Sequence, residues 1–437
     1  MWPYYPDLLA TPVPRYTSYP TAAEFGGDVD GGDFASAIAR VQGDVSLYLH
    51  IPFCEQICWY CGCNTTKSNR QDRLESYLDA LHREIALVGS KLPAGTRIRH
   101  IAFGGGSPNS IRPTDFVRLM LSLTQAFALD RPAISIEIDP RSMSAAWSQA
   151  LAGVGVQRAS LGVQTFDPQL QRAIGREQPD HLIADCTALL REARVTSLNF
   201  DLMYGLPGQT VSTLEATLER ACELGADRIA LFGYAHVPQL IPRQKRIDAT
   251  ALPDQATRYA MARRGHEFLV DAGYVPVGFD HFALPGDPLA QAALTGKLHR
   301  NFQGFTDDAA PVLIGLGASA ISCFPQLIAQ NEKNTGRYRM MLSQDRLTVT
   351  RGIRRSAEDR LRGAIIEGLL CQGKAPVAPQ LLDDLRPRLE PFAERGLIGF
   401  ADGVLSIQPF ALPYARAIAA CFDPYRTITQ RKFSSAV

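Results

Sequence analysis

From residue 45 onward two hydrophobic periods alternate along the chain. Val45, Leu47, Leu49 and Ile51 occupy every second position, the repeat of a strand with one face buried. Leu74, Tyr77, Leu78, Leu81, Ile85 and Val88 then recur three and four residues apart, which places them on one face of a helix. A strand over 98–103 follows, then a helix through Phe116, Leu119, Met120, Leu123 and Phe127. The runs 134–138, 159–163, 198–203 and 228–232 read as further strands. Between them lie helical stretches at 145–151 and through Leu182, Ile183, Cys186, Leu189 and Leu190, the latter with Asp180 as its expected cap. Ser212 and Glu215 have capping-box spacing before a helix that ends near Gly225.

Six strand–helix repeats between 45 and about 240 predict an α/β fold, a parallel sheet with helices outside. Periodicity does not say whether that sheet closes. Residues 1–44, rich in proline, tyrosine, glycine and aspartate, read as a mainly irregular N-terminal arm whose aromatic side chains must lie against something. Residues 45–350 form the main unit, with a helix over 255–269 followed by turns. Residues 351–437 read as a small, mostly helical domain, with a helix through Leu361, Ile365, Ile366 and Leu369 and a hairpin over 399–407.

Composition narrows the class. A chain of 437 residues with 46% hydrophobic and 20% charged residues has the balance of an ordinary globular protein. A formal net charge of +1 gives no sign of a nucleic-acid partner, although it leaves room for a local basic pocket. No apolar run approaches the ~20 residues of a membrane span, and the N-terminus has neither the basic head nor the apolar core of an export signal. The expectation is a cytoplasmic monomer with reduced cysteines.

Four of the nine cysteines, Cys54, Cys58, Cys61 and Cys63, fall within ten residues directly after the first strand. Three thiolates on one short loop suit the corners of an iron–sulfur cube. A structural zinc site would bring two pairs from separated segments, and a disulfide framework suits small secreted chains. Cys63 is open to two readings, a fourth ligand or a separate reactive thiol. Gly104, Gly105 and Gly106 are either a tight turn or a backbone cradle for a ligand. Glu137, Asp139, Gln164, Asp201 and Tyr204 stand at the ends of strands, where polar groups of a parallel sheet converge. His50 is either a neutral hydrogen-bonded histidine or a proton carrier. Arg15 and Arg300 offer planar donor forks for carboxylates.

Cys54, Cys58 and Cys61 resemble the CxxxCxxC loop of the radical S-adenosylmethionine (SAM) enzymes. With Cys63, the arm Pro14-Arg-Tyr-Thr-Ser-Tyr-Pro-Thr21 and His299-Arg-Asn-Phe-Gln-Gly304, the likeness narrows to the oxygen-independent coproporphyrinogen III oxidases, from about Pro14 to Cys421-Phe-Asp423. The resemblance implies a six-unit partial (β/α) barrel, an arm across the active-site opening, a [4Fe–4S] cluster held by Cys54, Cys58 and Cys61, and one or two bound S-adenosylmethionine molecules. It also implies that Cys63 is no ligand but is needed for activity.

By the same resemblance Glu137, Gln164, Arg176 and Asp201 hold S-adenosylmethionine, with Tyr48 near the cluster and Tyr60 beside adenine, where phenylalanine is common. Ser107 stands in the glycine motif where threonine is usual. Ala235 and Ile321 match positions lining the cofactor pocket, and Phe302 and Gln303 match a second cofactor site. The implied reaction is oxidative decarboxylation of two propionates of coproporphyrinogen III to the vinyl groups of protoporphyrinogen IX, with a low-potential electron donor and an electron acceptor of unknown identity. A haem-degrading methyltransferase or a haem chaperone on the same scaffold is the alternative. The chain departs from the family at 405–416, where a glycine–arginine segment is usual.

Overall fold

A computed structural model describes residues 2–67 and 70–428. The six expected strands form as β1 (Asp44–Ile51), β2 (Arg97–Gly105), β3 (Leu129–Ile138), β4 (Arg158–Gln164), β5 (Ser197–Tyr204) and β6 (Arg228–Gly233). They pair in parallel in sequence order. Helices α1 (Gln71–Gly89), α2 (Pro113–Ala126), α3 (Ala145–Val154), α4 (Asp180–Glu192) and α5 (Val211–Glu223) return the chain between strands, each burying one apolar stripe. Connections of this length are what parallel pairing requires.

The sheet does not stop at six. After helix α6 (Gln255–Asp271), β7 (Val275–Val277) and β8 (His281–Ala283) extend it beyond β6 in antiparallel fashion. On the other side β9 (Val312–Leu316) pairs in parallel with β1, Val45 opposite Val312, and β10 (Ile321–Phe324), β11 (Leu327–Asn331) and β12 (Val349–Arg354) follow antiparallel. The order is β12-β11-β10-β9-β1-β2-β3-β4-β5-β6-β8-β7. Among the described residues the outer strands β12 and β7 do not pair, so the curved sheet is a partial barrel with an open side. Strand β12 runs across position 350, where the main unit was expected to end.

Two local expectations are corrected. Asp180 lies inside the first turn of α4, not at its cap; Pro179 holds the cap position, and Asp180 accepts from Arg220 Nε at 2.7 Å. The capping box of α5 is made by Thr210 and Thr213, two residues before Ser212/Glu215, and Glu215 pairs with Arg264 instead. A threonine at position N3 serves as well as glutamate because its hydroxyl reaches the cap N–H.

The arm is built into the core. Leu9, Val13, Tyr16 and Tyr19 are buried with the sheet's side chains, and Gly31–Ile38 forms a helix capped by Asp30. Tyr16 donates to Asp423 at 2.9 Å, tying the arm to the far end of the chain. The C-terminal part adds helices Ala357–Gln372 and Pro379–Ala393 and a three-stranded sheet in which Lys374–Pro376 joins the expected hairpin.

One buried carboxylate locks the cysteine side of the barrel. Glu84 on α1 accepts from Gly317 N–H, Tyr338 OH (2.7 Å), Asn331 Nδ2 (2.9 Å) and Thr348 Oγ1 (2.6 Å). Burial raises its pKa, and the four donors offset that only in part while pairing both carboxyl oxygens. Tyr77, also on α1, donates to the carbonyl of His50 at 2.7 Å and so fixes the end of β1, where the cysteine loop starts.

Candidate active site

The loop that leaves β1 is pinned at its base. Phe53 and Cys54 pair in parallel with Thr66 and Lys67, so residues 55–65 form a closed excursion. Trp59 N–H donates to the carbonyl of Ile174 at 3.1 Å, and Gln244 Nε2 donates to that of Tyr60 at 3.0 Å. Gly175 takes φ +65° against the Trp59 ring, and a Cβ there would come within 2.6 Å of it. The excursion is therefore held on three sides.

Cys54, Cys58, Cys61 and Cys63 all face one cavity of about 470 Å³. Burial pushes the Cys54 thiol up to about 11, and Thr65 Oγ1 donates to its sulfur at 3.1 Å. Cys58 Sγ lies 3.2 Å from Arg176 Nη1 and 3.6 Å from Arg141 Nη2. The Cys63 thiol hydrogen bond lowers Cys61 to about 6, helped by the Cys63 N–H at 3.4 Å. The same pairing, with burial, raises Cys63. Among the described residues no three metal-binding side chains close around a single ion. Three thiols around a larger void, each approached by a hydrogen-bond donor and one of them by two guanidinium groups, fit a thiolate-ligated cluster instead.

The opposite wall comes from the C-terminal ends of β2 to β6. Gly105 has φ +123°, and a Cβ on it would meet His50 Nδ1 at 2.8 Å; one on Gly106 would meet the Phe53 carbonyl at 2.5 Å. The glycines thus let β2 pass against the base of the cysteine loop, and Gly105, Gly106 and Ser107 reach the cavity. Gly104 sits behind, against Glu137 and Tyr48. Glu137 accepts from Gly105 N–H at 3.0 Å, and burial raises it to about 7. Asp201 accepts from Ser160 Oγ at 3.0 Å and Asn199 Nδ2 at 2.8 Å, and burial raises it too. Gln164 closes β4 in the left-handed region at φ +67°, a strained backbone that turns its side chain to the cavity. Arg176 donates through Nε to the Gly162 carbonyl at 2.9 Å, and its Nη2 lies 3.4 Å from Asp139. Tyr60 and Ala235 complete this group.

Other candidates fall elsewhere. His50 does not line the cavity: its ring is enclosed between Tyr48 OH (3.1 Å) and the Asn64 carbonyl (3.4 Å), and burial lowers its pKa to about 4. A neutral imidazole behind the wall fits the structural alternative better than proton transfer to a bound ligand. Tyr48 is likewise buried, edge-on to Phe302 with centroids 4.6 Å apart. Ile321, expected with Ala235 to line the cofactor pocket, lines a separate cavity of about 210 Å³ with Phe302 and Arg300. Gln303 borders a third space, about 280 Å³, whose wall includes Glu137 and Asp201.

Arg15 reaches the main cavity while its Nη2 donates to the Gly233 carbonyl at 3.0 Å. Arg300 does not reach it. Its Nε and Nη2 donate to the carbonyls of Tyr16 (3.2 Å) and Arg15 (3.0 Å), and it stacks 4.3 Å above Phe305. These contacts hold the arm in place, while Nη1 has no hydrogen-bond partner among the described residues and Arg300 lines the 210 Å³ cavity. Sequence reasoning missed Thr65, Gln244 and Arg141. Arg141 follows Asp139 by two residues at the end of β3, and that strand-end position was its only signal.

The Radical SAM superfamily model matches residues 48–221. Oxygen-independent coproporphyrinogen III oxidase of Bradyrhizobium diazoefficiens is 40% identical over 97% of this chain and 97% of its own. The chain belongs to the oxygen-independent coproporphyrinogen III oxidase family. The relative from Escherichia coli K12 is 37% identical over 94% of this chain and 93% of its own. The solved structure of coproporphyrinogen III oxidase from Escherichia coli, a radical SAM enzyme, superposes with a TM-score of 0.90 at 36% identity, covering 97% and 99% of the two chains. This family member is therefore a radical SAM oxidoreductase, and superfamily membership implies a [4Fe–4S] cluster and S-adenosylmethionine. Among the described residues no helix is long and apolar enough to cross a membrane.

Proposed function

We propose that the protein converts coproporphyrinogen III to protoporphyrinogen IX by oxidative decarboxylation of two propionate side chains. The observation that carries this reading is the single cavity in which the thiols of Cys54, Cys58 and Cys61 face Glu137, Gln164, Arg176 and Asp201. Cys54, Cys58 and Cys61 would hold the cluster, and the polar rim would hold one S-adenosylmethionine. Together the cluster and S-adenosylmethionine supply, when bound and reduced by a low-potential donor, a carbon-centred radical able to take a hydrogen atom.

The remaining chemistry is on the substrate. Each propionate loses its β-hydrogen as an atom, then CO2 and one electron, which leaves a vinyl group; the electron passes to an acceptor. The protein's own contribution is placement and exclusion of water. Arg176 and Arg141 flank the Cys58 sulfur and would favour it as a cluster ligand, and Glu137 and Asp201 offer acceptors for hydroxyl or ammonium donors of the ligand. Cys63 stands beside the ligand cysteines, facing the same cavity, where it is placed to act on a bound ligand. The arm, through Arg15, closes the side of the cavity nearest Gly233.

Phe302, Ile321 and Arg300 border the separate 210 Å³ cavity, and Gln303 the third space beside Glu137, which supports a second ligand position apart from the first. Strictly anaerobic reconstituted protein supplied with substrate, S-adenosylmethionine, reductant and acceptor should release two CO2 per tetrapyrrole and pass through a mono-vinyl intermediate. Ring opening or methyl transfer would assign it to haem degradation, and binding without turnover to haem handling.

A further inference from the structure

The cavity of about 210 Å³ lies where the arm, β10 and the start of the helix Ala357–Gln372 meet. Three residues of its wall each carry a buried polar atom with no hydrogen-bond partner among the described residues: Tyr19 OH, Arg300 Nη1 and Arg355 Nε. Tyr19 is only 7% exposed, and burial raises its pKa, so the hydroxyl keeps its proton. Arg300 is fixed by the bonds of Nε and Nη2 to the arm, which leaves Nη1 as its free end. Arg355 makes one long side-chain bond, from Nη1 to the Pro325 carbonyl at 3.5 Å. Gly363 lets Arg355 and Tyr19 come together, since a Cβ there would lie 3.0 Å from Arg355 Nη2 and 3.3 Å from the Tyr19 ring.

The nearby carboxylates are already engaged. Glu367, the one carboxylate in this wall among the described residues, accepts from His299 Nδ1 and from Arg300 N–H, both at 3.2 Å. Asp280 lies outside the wall and offsets part of the cost of burying Arg300. Asp359 and Asp423, which act on Tyr19 through space, accept from Ser356 and from Tyr16. None of them bonds the three free atoms. Buried donors without partners are costly, and all three are satisfied together by a group that only accepts, through two oxygens.

Size and connection say what carries that group. The cavity is smaller than the roughly 300–1,000 Å³ that holds a whole small ligand, so it takes a side chain and not a macrocycle. It shares no wall residue with the thiol-lined cavity. The 280 Å³ space links the two, with Asn301 in common on one side and Glu137, Ser160, Asp201 and Phe232 on the other. A ligand that spans this series places one end at the thiols and another beside Tyr19.

We propose that this cavity binds the carboxylate of a propionate that is not reacting, held by Tyr19, Arg300 and Arg355, so that another edge of the tetrapyrrole meets the radical source. This rests on the function proposed above. It makes Tyr19 and Arg355 substrate-binding residues and gives the free end of Arg300 a partner.

The test uses holoenzyme and two stable probes, coproporphyrin III and its tetramethyl ester, titrated anaerobically by fluorescence. Arg355→Gln and Tyr19→Phe should each bind the free acid about tenfold more weakly, the loss expected for a buried charged hydrogen bond, and change little for the ester. The Tyr19 hydroxyl bonds nothing in the unliganded protein, so Tyr19→Phe should unfold at or above the wild-type temperature, which separates lost binding from lost structure. S-adenosylmethionine bound per protein, measured by equilibrium dialysis, should be unchanged in both variants. Less bound S-adenosylmethionine with unchanged acid affinity would assign the carboxylate to the cofactor's methionyl end and overturn the proposal. Wild-type turnover and unchanged acid affinity in both variants would leave these donors to water and overturn the site alone. A wild type that neither binds nor converts the tetrapyrrole would overturn the functional reading with it.

Discussion

Arg176 Nη1 lies 3.2 Å from Cys58 Sγ, while the same guanidinium spans Gly162 O and Asp139. The Cys58 sulfur therefore has a fixed guanidinium at its side before any cofactor arrives, and Asp139, held down to about 2 by Arg176 and Arg141 despite burial, keeps that guanidinium oriented.

Replacing Arg176 with leucine should lower the reduction potential of the reconstituted cluster by roughly 50–100 mV, the equivalent of one charged hydrogen bond in a one-electron couple. Redox titration followed by electron paramagnetic resonance measures it. An unchanged potential would remove Arg176 from the surroundings of the Cys58 sulfur.

Changing Cys54, Cys58 or Cys61 to alanine should abolish the [4Fe–4S] cluster, whereas Cys63→Ala should keep most of its iron and lose turnover. Iron and sulfide analysis with Mössbauer spectroscopy distinguishes these. A full cluster in Cys58→Ala, or an empty Cys63→Ala, would reassign the ligand set.

His50 gives a pH dependence of defined sign. Its folded pKa of about 4 lies below the ordinary value of 6.5, so its contribution to stability is present above 6.5 and is lost as pH falls through 4. The shift corresponds to roughly 3 kcal/mol. Urea unfolding of the cluster-free protein between pH 7 and 4 should fall less steeply for His50→Gln than for the wild type. Parallel curves would mean the imidazole is not buried neutral.

The arm should matter to the fold as well as to the site. Tyr16→Phe leaves Asp423 buried with fewer donors and should cost about 1–3 kcal/mol. Arg15→Ala should weaken substrate turnover while leaving thermal unfolding nearly unchanged. Equal effects of both substitutions on unfolding would make Arg15 a strap and not a site residue.

Strands β1, β3, β4 and β5 were legible because they alternate apolar and polar positions, and β2 and β6 because they are apolar runs set between helices of distinct period. Strand β9 was not, since Val312–Leu316 is a short, fully buried run between turns, and periodicity gives no alternation to read there. The cysteine loop and the strand-end residues Glu137, Gln164 and Asp201 were visible because their chemistry is local. The separation of Ile321 from Ala235 was invisible, because it depends on how β9 and β10 add to the far side of β1.

A radical formed in this cavity should take hydrogen from a propionate. Coproporphyrinogen III deuterated at the propionate β-carbons should be incubated anaerobically with reduced holoenzyme and S-adenosylmethionine, and the 5′-deoxyadenosine then weighed by mass spectrometry. The prediction is deuterium in 5′-deoxyadenosine, matched by vinyl groups appearing in the tetrapyrrole. Unlabelled 5′-deoxyadenosine alongside a tetrapyrrole that keeps all four carboxylates would contradict it.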